Sequence, residues 1–226
     1  MTAVSTPPNP YEEYIRVREL LALHSPRTEH PAEDMFVAVH QVSELWLATL
    51  LRETRRAGAL LAGEDATEAA RRLRTGVGVL VQLSGSLNLL CGMLPTEFAA
   101  FRPALGTASA VQSRQYTEFV QVCRGPGPSL WEAFAALADR RGGLAKAYDN
   151  PDAGVREVAE LLIDLDDAHF EWMTFHWRLV RRQIGSAGGT GGRSADYLRN
   201  RLDQRLFPEL IDIRPEFHLA EEVPVQ

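Results

Sequence analysis

The chain has 226 residues, enough for one sizeable domain with its own hydrophobic core. Its composition, 45% hydrophobic and 24% charged, is typical of a globular protein. The formal net charge of −6 argues against nucleic acid or an anionic membrane surface as a partner, because like charges repel.

The cysteines and the N-terminus indicate a reducing compartment. Cys91 and Cys123 lie in apolar stretches outside any metal-ligand spacing, so no disulfide framework is expected. The first residues, MTAVSTPPNP, have neither the basic nor the apolar region of a signal peptide. No apolar run reaches the roughly 18 residues that span a bilayer. We therefore expect a cytoplasmic protein without a membrane segment.

Helical periodicity begins just after the N-terminus. Residues 1–10 are proline-rich and are predicted to form an arm, and an amphipathic helix is predicted over 11–23. His30-Pro31 begins a long helix, and acidic residues in its first turn suit the helix dipole. Spacings of three and four place one set of side chains on a single face of this helix: Phe36, Val39, His40, Ser43, Trp46 and Leu47.

The middle of the chain continues the helical pattern. Asp65 to Glu68 resembles a capping box and starts a second long helix toward Leu90. Prolines bracket a short segment over 95–103, and a further helix is predicted from Ser109 to Cys123.

A glycine- and proline-rich break at 125–128 separates this part from the C-terminal helices. Helices are predicted over 129–147, from 150–152 to about Gly185, and over 195–206. Between the last two lies the glycine-rich stretch GSAGGTGG, residues 185–192. Since no alternating strand pattern occurs, the sequence predicts one all-α helical bundle over 1–226.

Two of the six histidines stand out as candidate ligands. His24, His30 and His218 lie at helix ends or in the tail and are expected to be structural or exposed. His40 and His176 lie mid-helix among large apolar residues, where a buried imidazole needs a partner. Each could be a satisfied core residue, but their positions on the two longest helices favour a ligand site.

Two kinds of iron site suit inward histidines in a helical bundle. Haem needs one axial histidine and an apolar pocket, whereas a di-iron site needs several carboxylates, typically Glu-x-x-His on two helices. The chain contains no Glu-x-x-His; Asp166 precedes His169 by three residues, and Glu44 follows His40 by four. The ligand count therefore favours haem.

Three further features admit both a structural and a functional interpretation. The loop 185–192 lacks the lysine of a phosphate-binding loop, so it is either a flexible linker or a lid with Thr190 as its donor. Arg102, between Phe101 and Pro103, is either a surface arginine or a guanidinium that binds a carboxylate. Ser109 is either a helix cap or a donor to a substrate or a haem propionate.

In combination, several blocks of the sequence resemble tryptophan 2,3-dioxygenases. They occur in the family's order and cover most of residues 11–123 and 160–214. The blocks are YEEYIRVRELL, EDMFVAVHQVSELW, LPTEFAAFRPALGTASAVQSRQY, LIDLDDAHFEWMTFHW, IGSAGGTGG, YLRNRL and LFPEL.

The resemblance implies a haem b cofactor, with O2 as co-substrate, and assigns its neighbours. His176 matches the proximal haem ligand, and Ser109 matches a serine near the haem. His40 matches the distal histidine that contacts the indole N–H, and it is the candidate catalytic residue. A helical bundle that encloses a haem pocket is therefore expected.

The resemblance also implies how a tryptophan-like substrate is bound. Phe36 and Phe98 match residues that line the indole pocket. Arg102 matches the arginine that binds the substrate carboxylate, and Thr190 matches the threonine that contacts its ammonium and carboxylate. Two N-terminal tyrosines match residues that reach into a neighbouring subunit, so a homo-oligomer, a tetramer or a dimer, is expected: Tyr11 and Tyr14.

The implied reaction inserts O2 into the indole C2–C3 bond and gives an N-formylkynurenine-type product, as in tryptophan catabolism through kynurenine. One alternative is a haem monooxygenase that acts on a modified tryptophan in secondary metabolism. Another is a haem sensor without turnover, against which the amino-acid-binding residues argue because a sensor does not need them.

Three departures from the family pattern bear on oligomer contacts, the lid and the substrate range. A long helical insertion is missing where this chain has only QVCRGPGPSLW, residues 121–131. Leu87 occupies a position where an aromatic residue, usually tryptophan, is expected. The glycine loop is one residue shorter before Tyr197.

Overall fold

A computed structural model describes residues 9–149 and 153–219, and these residues form helices and turns with no strand among them. The predicted all-α class is therefore confirmed, while most of the predicted arm over 1–10 lies outside the described residues. The α-helices are α1 Pro10–Tyr14, α2 Val17–Ala22, α3 Pro31–Ala62, α4 Ala66–Asn88, α5 Pro95–Leu105, α6 Arg114–Arg124, α7 Leu130–Arg140, α8 Leu144–Asp149, α9 Ala153–Ile184, α10 Ala195–Arg199, α11 Pro208–Asp212 and α12 Arg214–Leu219; 3₁₀ turns cover Leu89–Gly92 and Ala110–Gln112.

Three long helices form the core of the bundle. Helix α4 packs against both α3 and α9, and α3 also packs against α6 and α7. The apolar faces that the periodicity predicts meet between these helices and include Leu50, Leu80 and Leu162, none of which is exposed. Burial of such side chains contributes about 25 cal/mol per Å² of apolar surface, so these helices provide the rigid frame of the molecule.

The N-terminal helix predicted over 11–23 is wrong as a single helix. Arg16 adopts a left-handed conformation, with φ of +56°, and divides the segment into α1 and α2. No residue of either helix is buried. Since no side chain of the segment is buried in its own domain, packing does not favour one continuous helix over two.

Three other predicted helices are shorter than the periodicity suggests. The segment 109–123 begins with a 3₁₀ turn, and Ser113 caps α6 by accepting the Tyr116 backbone N–H at 3.2 Å. The segment 129–147 breaks between α7 and α8 because Gly142 and Gly143 take positive φ angles of 101° and 102°. The helix predicted over 195–206 ends at Arg199, and the predicted start of α9 at 150–152 lies outside the described residues.

A buried carboxylate on α9 explains why the chain after α10 is not helical. Asp166 is 1% exposed and accepts the backbone N–H groups of Leu206 and Phe207 at 2.9 and 3.1 Å. The Arg205 guanidinium also donates to it, at 3.2 Å. These bonds fix an extended turn against α9, and charge-assisted hydrogen bonds of this kind are stronger than neutral ones.

Helix α4 with its following turn, Ala66–Gly92, contains an 18-residue window with a mean hydropathy of 1.3, which by length and composition alone could span a membrane. The expectation that no stretch reaches such a length is therefore wrong by this measure. Leu73, Leu80 and Leu83 of this helix are buried, and the helix packs on α3 and α9. Such burial against two neighbouring helices is typical of a central helix in a helical bundle.

Candidate active site

A cavity of about 690 Å³ lies between α3, α5, α9, the segment 108–115, the glycine loop and α10. Its size falls within the range of about 300–1,000 Å³ that is typical of small-molecule and cofactor sites. It brings together the residues predicted for the haem and the substrate from five separate parts of the chain: Phe36, His40, Phe98, Arg102, Ser109, His176 and Thr190. Distant segments therefore converge on one space.

His40 presents a defined tautomer to this cavity. Its Nδ1 lies 2.7 Å from the Phe36 carbonyl oxygen, one helical turn earlier. Because a carbonyl only accepts, Nδ1–H is the donor, and Nε2 is left as an acceptor. Burial lowers the pKa of His40, although the Phe36 carbonyl and the Glu44 carboxylate oppose this shift. The neutral ring can therefore accept a hydrogen bond from a ligand N–H.

His176 lines the same cavity from α9. Burial lowers its pKa to about 4, and the nearby His40 acts in the same direction. The ring stacks on Trp172, with 6.0 Å between centroids and 28° between planes, and the described residues give it no hydrogen-bond partner. A neutral imidazole without a protein partner is the form that binds a metal ion.

The other described histidines have structural partners. His169 is 5% exposed, lies outside the cavity lining and pairs with the Tyr116 hydroxyl at 3.1 Å. Burial lowers its pKa to about 4. His30 caps α3 by accepting the Ala32 N–H, as its place at a helix start suggests. The side chain of His218 lies outside the described residues.

One wall of the cavity is aromatic. The centroid of the Phe36 ring lies 5.9 Å from that of Phe98 and 5.3 Å from that of Phe101. The Phe98 and Phe101 rings pack edge to face, with 5.4 Å between centroids. Phe101 has no exposed surface and fixes the other two rings from behind. The Phe36 ring also packs on the His40 ring, with 4.1 Å between centroids. A flat aromatic ligand can pack here with its polar edge toward His40.

The glycine loop borders the same cavity and is held there by two side-chain hydrogen bonds. The Arg102 guanidinium donates to the Gly188 carbonyl, and the Thr190 hydroxyl donates to the Ala108 carbonyl at 2.6 Å. Gly191 approaches so closely that an added Cβ would lie 2.9 Å from the Ser109 Cβ. A glycine is thus required where the loop meets Ser109, and Arg102 and Thr190 both line the cavity.

Comparison with known proteins identifies the family. A family model described as tryptophan 2,3-dioxygenase matches residues 2–121. A tryptophan 2,3-dioxygenase of Ruegeria pomeroyi is 34% identical over 90% of this chain and 91% of its own length. Proteins of the same name from Burkholderia pseudomallei and Burkholderia mallei are 33% and 32% identical over 90% of this chain and 83% of theirs. The chain belongs to the tryptophan 2,3-dioxygenase family.

Membership of the tryptophan 2,3-dioxygenase family confirms the predicted resemblance and makes the chain an enzyme of the dioxygenase class. The alignments span 254 positions, more than the 226 residues of the chain, so the relatives carry segments that this chain lacks. A short variant of the family is therefore confirmed.

Tyr11 and Tyr14 are not brought to the cavity of their own chain. They do not line it, and they are 69% and 90% exposed on α1. If they contribute to a family-type site, it belongs to another copy. Their predicted role stays a prediction.

Gln183 and Arg193 are polar cavity-lining residues that were not predicted from the sequence, and Glu44 was considered only as a possible iron ligand. Helical spacing could have identified Glu44 and Gln183 as neighbours of the site, because Glu44 follows His40 by four residues and Gln183 follows His176 by seven. Gln183 donates to the Met93 carbonyl at 2.9 Å, while its buried Oε1 has no partner among the described residues. The Arg193 guanidinium lies 4.1 Å from the Tyr197 ring centroid and adds positive charge beside the glycine loop.

Proposed function

We propose that this enzyme is a haem-dependent oxygenase that inserts O2 into the indole C2–C3 bond of L-tryptophan or a tryptophan derivative. The product is of the N-formylkynurenine type, which places the reaction in tryptophan catabolism. One observation carries the proposal: a single cavity combines His176, an acceptor nitrogen on His40, an aromatic wall and Arg102. His176 suits the haem iron, whereas His40, the aromatic wall and Arg102 suit the indole N–H, the indole ring and the carboxylate of the substrate.

The residues around His176 fit a haem. The imidazole is neutral, and among the described residues no hydrogen-bond partner occupies its ring nitrogens, so one of them is free to serve as an axial ligand. Apolar side chains form the surrounding wall: Leu87, Leu90, Met93, Leu179, Val180 and Ile184. Arg193 and Ser109 supply a cationic and a hydroxyl group that suit propionates. Among the described residues, no cluster of three His, Cys, Asp or Glu could hold a non-haem ion.

The protein's own contribution is to bind and orient the indole. His40 Nε2 accepts the indole N–H, and the aromatic wall packs against the ring. At the other end, Arg102 and Thr190 bind the carboxylate and ammonium groups. Fixing both ends restricts the C2–C3 bond to one position, a proximity effect. When bound, the haem supplies the activation of O2.

The glycine loop is proposed to act as a lid that excludes water. The Arg102 guanidinium bonds the Gly188 carbonyl of the loop, and the loop's Thr190 hydroxyl bonds the Ala108 carbonyl. These are the two side chains that would bind the amino acid. A substrate can therefore share or replace these bonds, which couples its binding to the loop. The glycines leave the backbone free to move between conformations.

The test is product analysis with isotope-labelled O2, using tryptophan and ring- or β-methylated tryptophans. We expect both oxygen atoms in the product, with an opened pyrrole ring. Incorporation of only one atom would contradict dioxygenation and support the monooxygenase alternative.

One observation favours examining methylated substrates: Leu87, where the family has an aromatic residue, borders both the main cavity and an adjoining space of about 70 Å³.

We also propose that the enzyme is a cytoplasmic homo-oligomer with shared active sites. Helices α1 and α2 bury no residue in their own domain, and they expose Tyr11, Tyr14, Leu21 and Leu23. Exposed apolar side chains in such a group are typical of a surface that binds another chain. A second copy would cover this surface and receive the tyrosines.

Subunit complementation tests the shared site. Tyr14→Ala and Arg102→Leu should each lower activity strongly on their own. If Tyr14 serves a neighbour's cavity, mixed oligomers contain sites in which both residues are intact. Partial recovery of activity after subunit exchange is therefore expected. The absence of recovery, with exchange proven by mass-tagged subunits, would show that each site is built from one chain.

A further inference from the structure

His24 lies at the root of the N-terminal hairpin, which we define as residues 9–23 with helices α1 and α2. Both ring nitrogens of His24 contact side chains of α3. Nδ1 lies 3.2 Å from Gln41 Oε1, and Nε2 lies 2.8 Å from Asp34 Oδ1. The hairpin itself buries no residue, so polar contacts at its root determine its direction.

The orientation of Gln41 is fixed by a second hydrogen bond. Its Nε2 donates to the Leu23 carbonyl at 2.9 Å, and this acceptor requires the amide nitrogen there. The amide oxygen of Gln41 must therefore face His24. Asp34 presents a carboxylate oxygen to the other ring nitrogen. Both partners of the imidazole are acceptors.

A neutral imidazole carries one N–H and can donate to only one of these two acceptors. The imidazolium carries two and satisfies both. We infer that protonated His24 positions the N-terminal hairpin against α3, and that its deprotonation weakens this attachment by removing one of the two hydrogen bonds. The inference deepens the proposed function, because the hairpin carries the tyrosines proposed to serve a second copy.

The charges around His24 agree with this geometry. The hydrogen bond to Asp34 raises the pKa of His24, Gln41 acts in the same direction, and the small loss of solvation opposes them. Asp34 is the charged partner on α3. Two other charged groups lie nearby in the sequence: Arg27, in the loop after the hairpin, donates to the Ala104 carbonyl, and Glu33, in the first turn of α3, accepts from Thr28. The hydrogen bonds of the His24 ring go to Asp34 and Gln41.

The sign of the pH dependence follows from the raised pKa. Below the ordinary histidine pKa the ring is charged in either state, and the attachment is complete. As the pH rises through the higher folded value, the proton is lost and the attachment weakens. The hairpin is therefore held below the ordinary histidine pKa and loosens as the pH rises through the higher folded value.

Glutamyl endopeptidase, which cleaves after Glu12, Glu13 and Glu19 of the hairpin, reports its attachment. Mass spectrometry would follow release of the N-terminal fragments between about pH 6 and pH 9. At the acidic end we expect cleavage about two- to fivefold slower than in His24→Gln, as befits an exposed ion pair. The two rates should converge at the alkaline end. His24→Lys keeps a cation at all these pH values and should stay slow throughout.

Titration of the His24 ring by NMR in histidine-labelled protein gives an independent readout. We expect its pKa to lie above the ordinary value and to fall in Asp34→Asn. Equal cleavage of the parent and His24→Gln at every pH, or an ordinary pKa for His24, would overturn the inference. Neither measurement needs haem or tryptophan, so failure of the His24 inference leaves the proposed oxygenase intact. Failed subunit complementation, in turn, leaves the attachment intact.

Discussion

His176→Ala is expected to lose stable haem binding, whereas His40→Ala retains it. His176 presents a neutral imidazole to the cavity and has no hydrogen-bond partner among the described residues, while His40 already uses Nδ1–H to bond the Phe36 carbonyl. Removal of an axial ligand takes away the one strong protein bond to the iron. Titration with hemin, followed by the Soret band, measures the difference. We expect affinity to fall by at least about 100-fold in His176→Ala only, since supporting partners alone are worth 10–100-fold.

Two controls separate a lost ligand from a damaged fold. His169→Gln removes a second buried histidine on the same helix but keeps a partner for the Tyr116 hydroxyl, and it should bind haem normally. His176→Gly with added imidazole should regain haem ligation, because the small molecule can enter the vacated space. Equal loss of haem in His40→Ala and His176→Ala, or loss in His169→Gln alone, would show that the axial assignment is wrong.

Arg102→Leu is expected to weaken tryptophan binding far more than haem binding. Loss of a charge-assisted pair with a desolvated carboxylate costs about 2–4 kcal/mol, which is roughly 30- to 1,000-fold in affinity. Substrate titration of the haem protein measures this loss. Arg114→Leu is the matched control, because Arg114 lines the same cavity but is already paired with Glu118 at 3.1 Å. It should have little effect.

Tryptamine distinguishes the carboxylate contact from a general effect on the loop. Arg102 also donates to the Gly188 carbonyl, so its removal frees the loop as well. Tryptamine lacks the carboxylate and should bind weakly to the parent protein, with little further loss in Arg102→Leu. A similar loss for both ligands would assign the effect to the loop. Unchanged tryptophan binding would exclude Arg102 as the carboxylate partner.

The candidate site was largely predictable because its residues lie on strongly periodic helices or in distinctive motifs. His40 and Phe36 share a face of α3 at a spacing of four, and both line the cavity. Tyr11 and Tyr14 could be assigned only by resemblance, since both are exposed and neither lines the cavity of its own chain. Arg193 gave no signal because its role depends on the Tyr197 ring beneath it.

By itself the sequence determined the all-α class, the two longest helices and the family. Helix periodicity, Pro31 at a helix start and the Asp65 cap are local features, and they act within a few residues of the chain. These features remain the same wherever the helices pack. The family blocks are likewise read directly from the order of residues.

Only the tertiary structure decided where helices stop and which groups meet. The turn after α10 exists because Asp166, some forty residues earlier, accepts the N–H groups of Leu206 and Phe207. The attachment of His24 depends on Gln41 and Asp34, which face it from another helix. Such hydrogen bonds join residues distant in sequence, and their free energy outweighs local helix propensities of less than about 1 kcal/mol per residue.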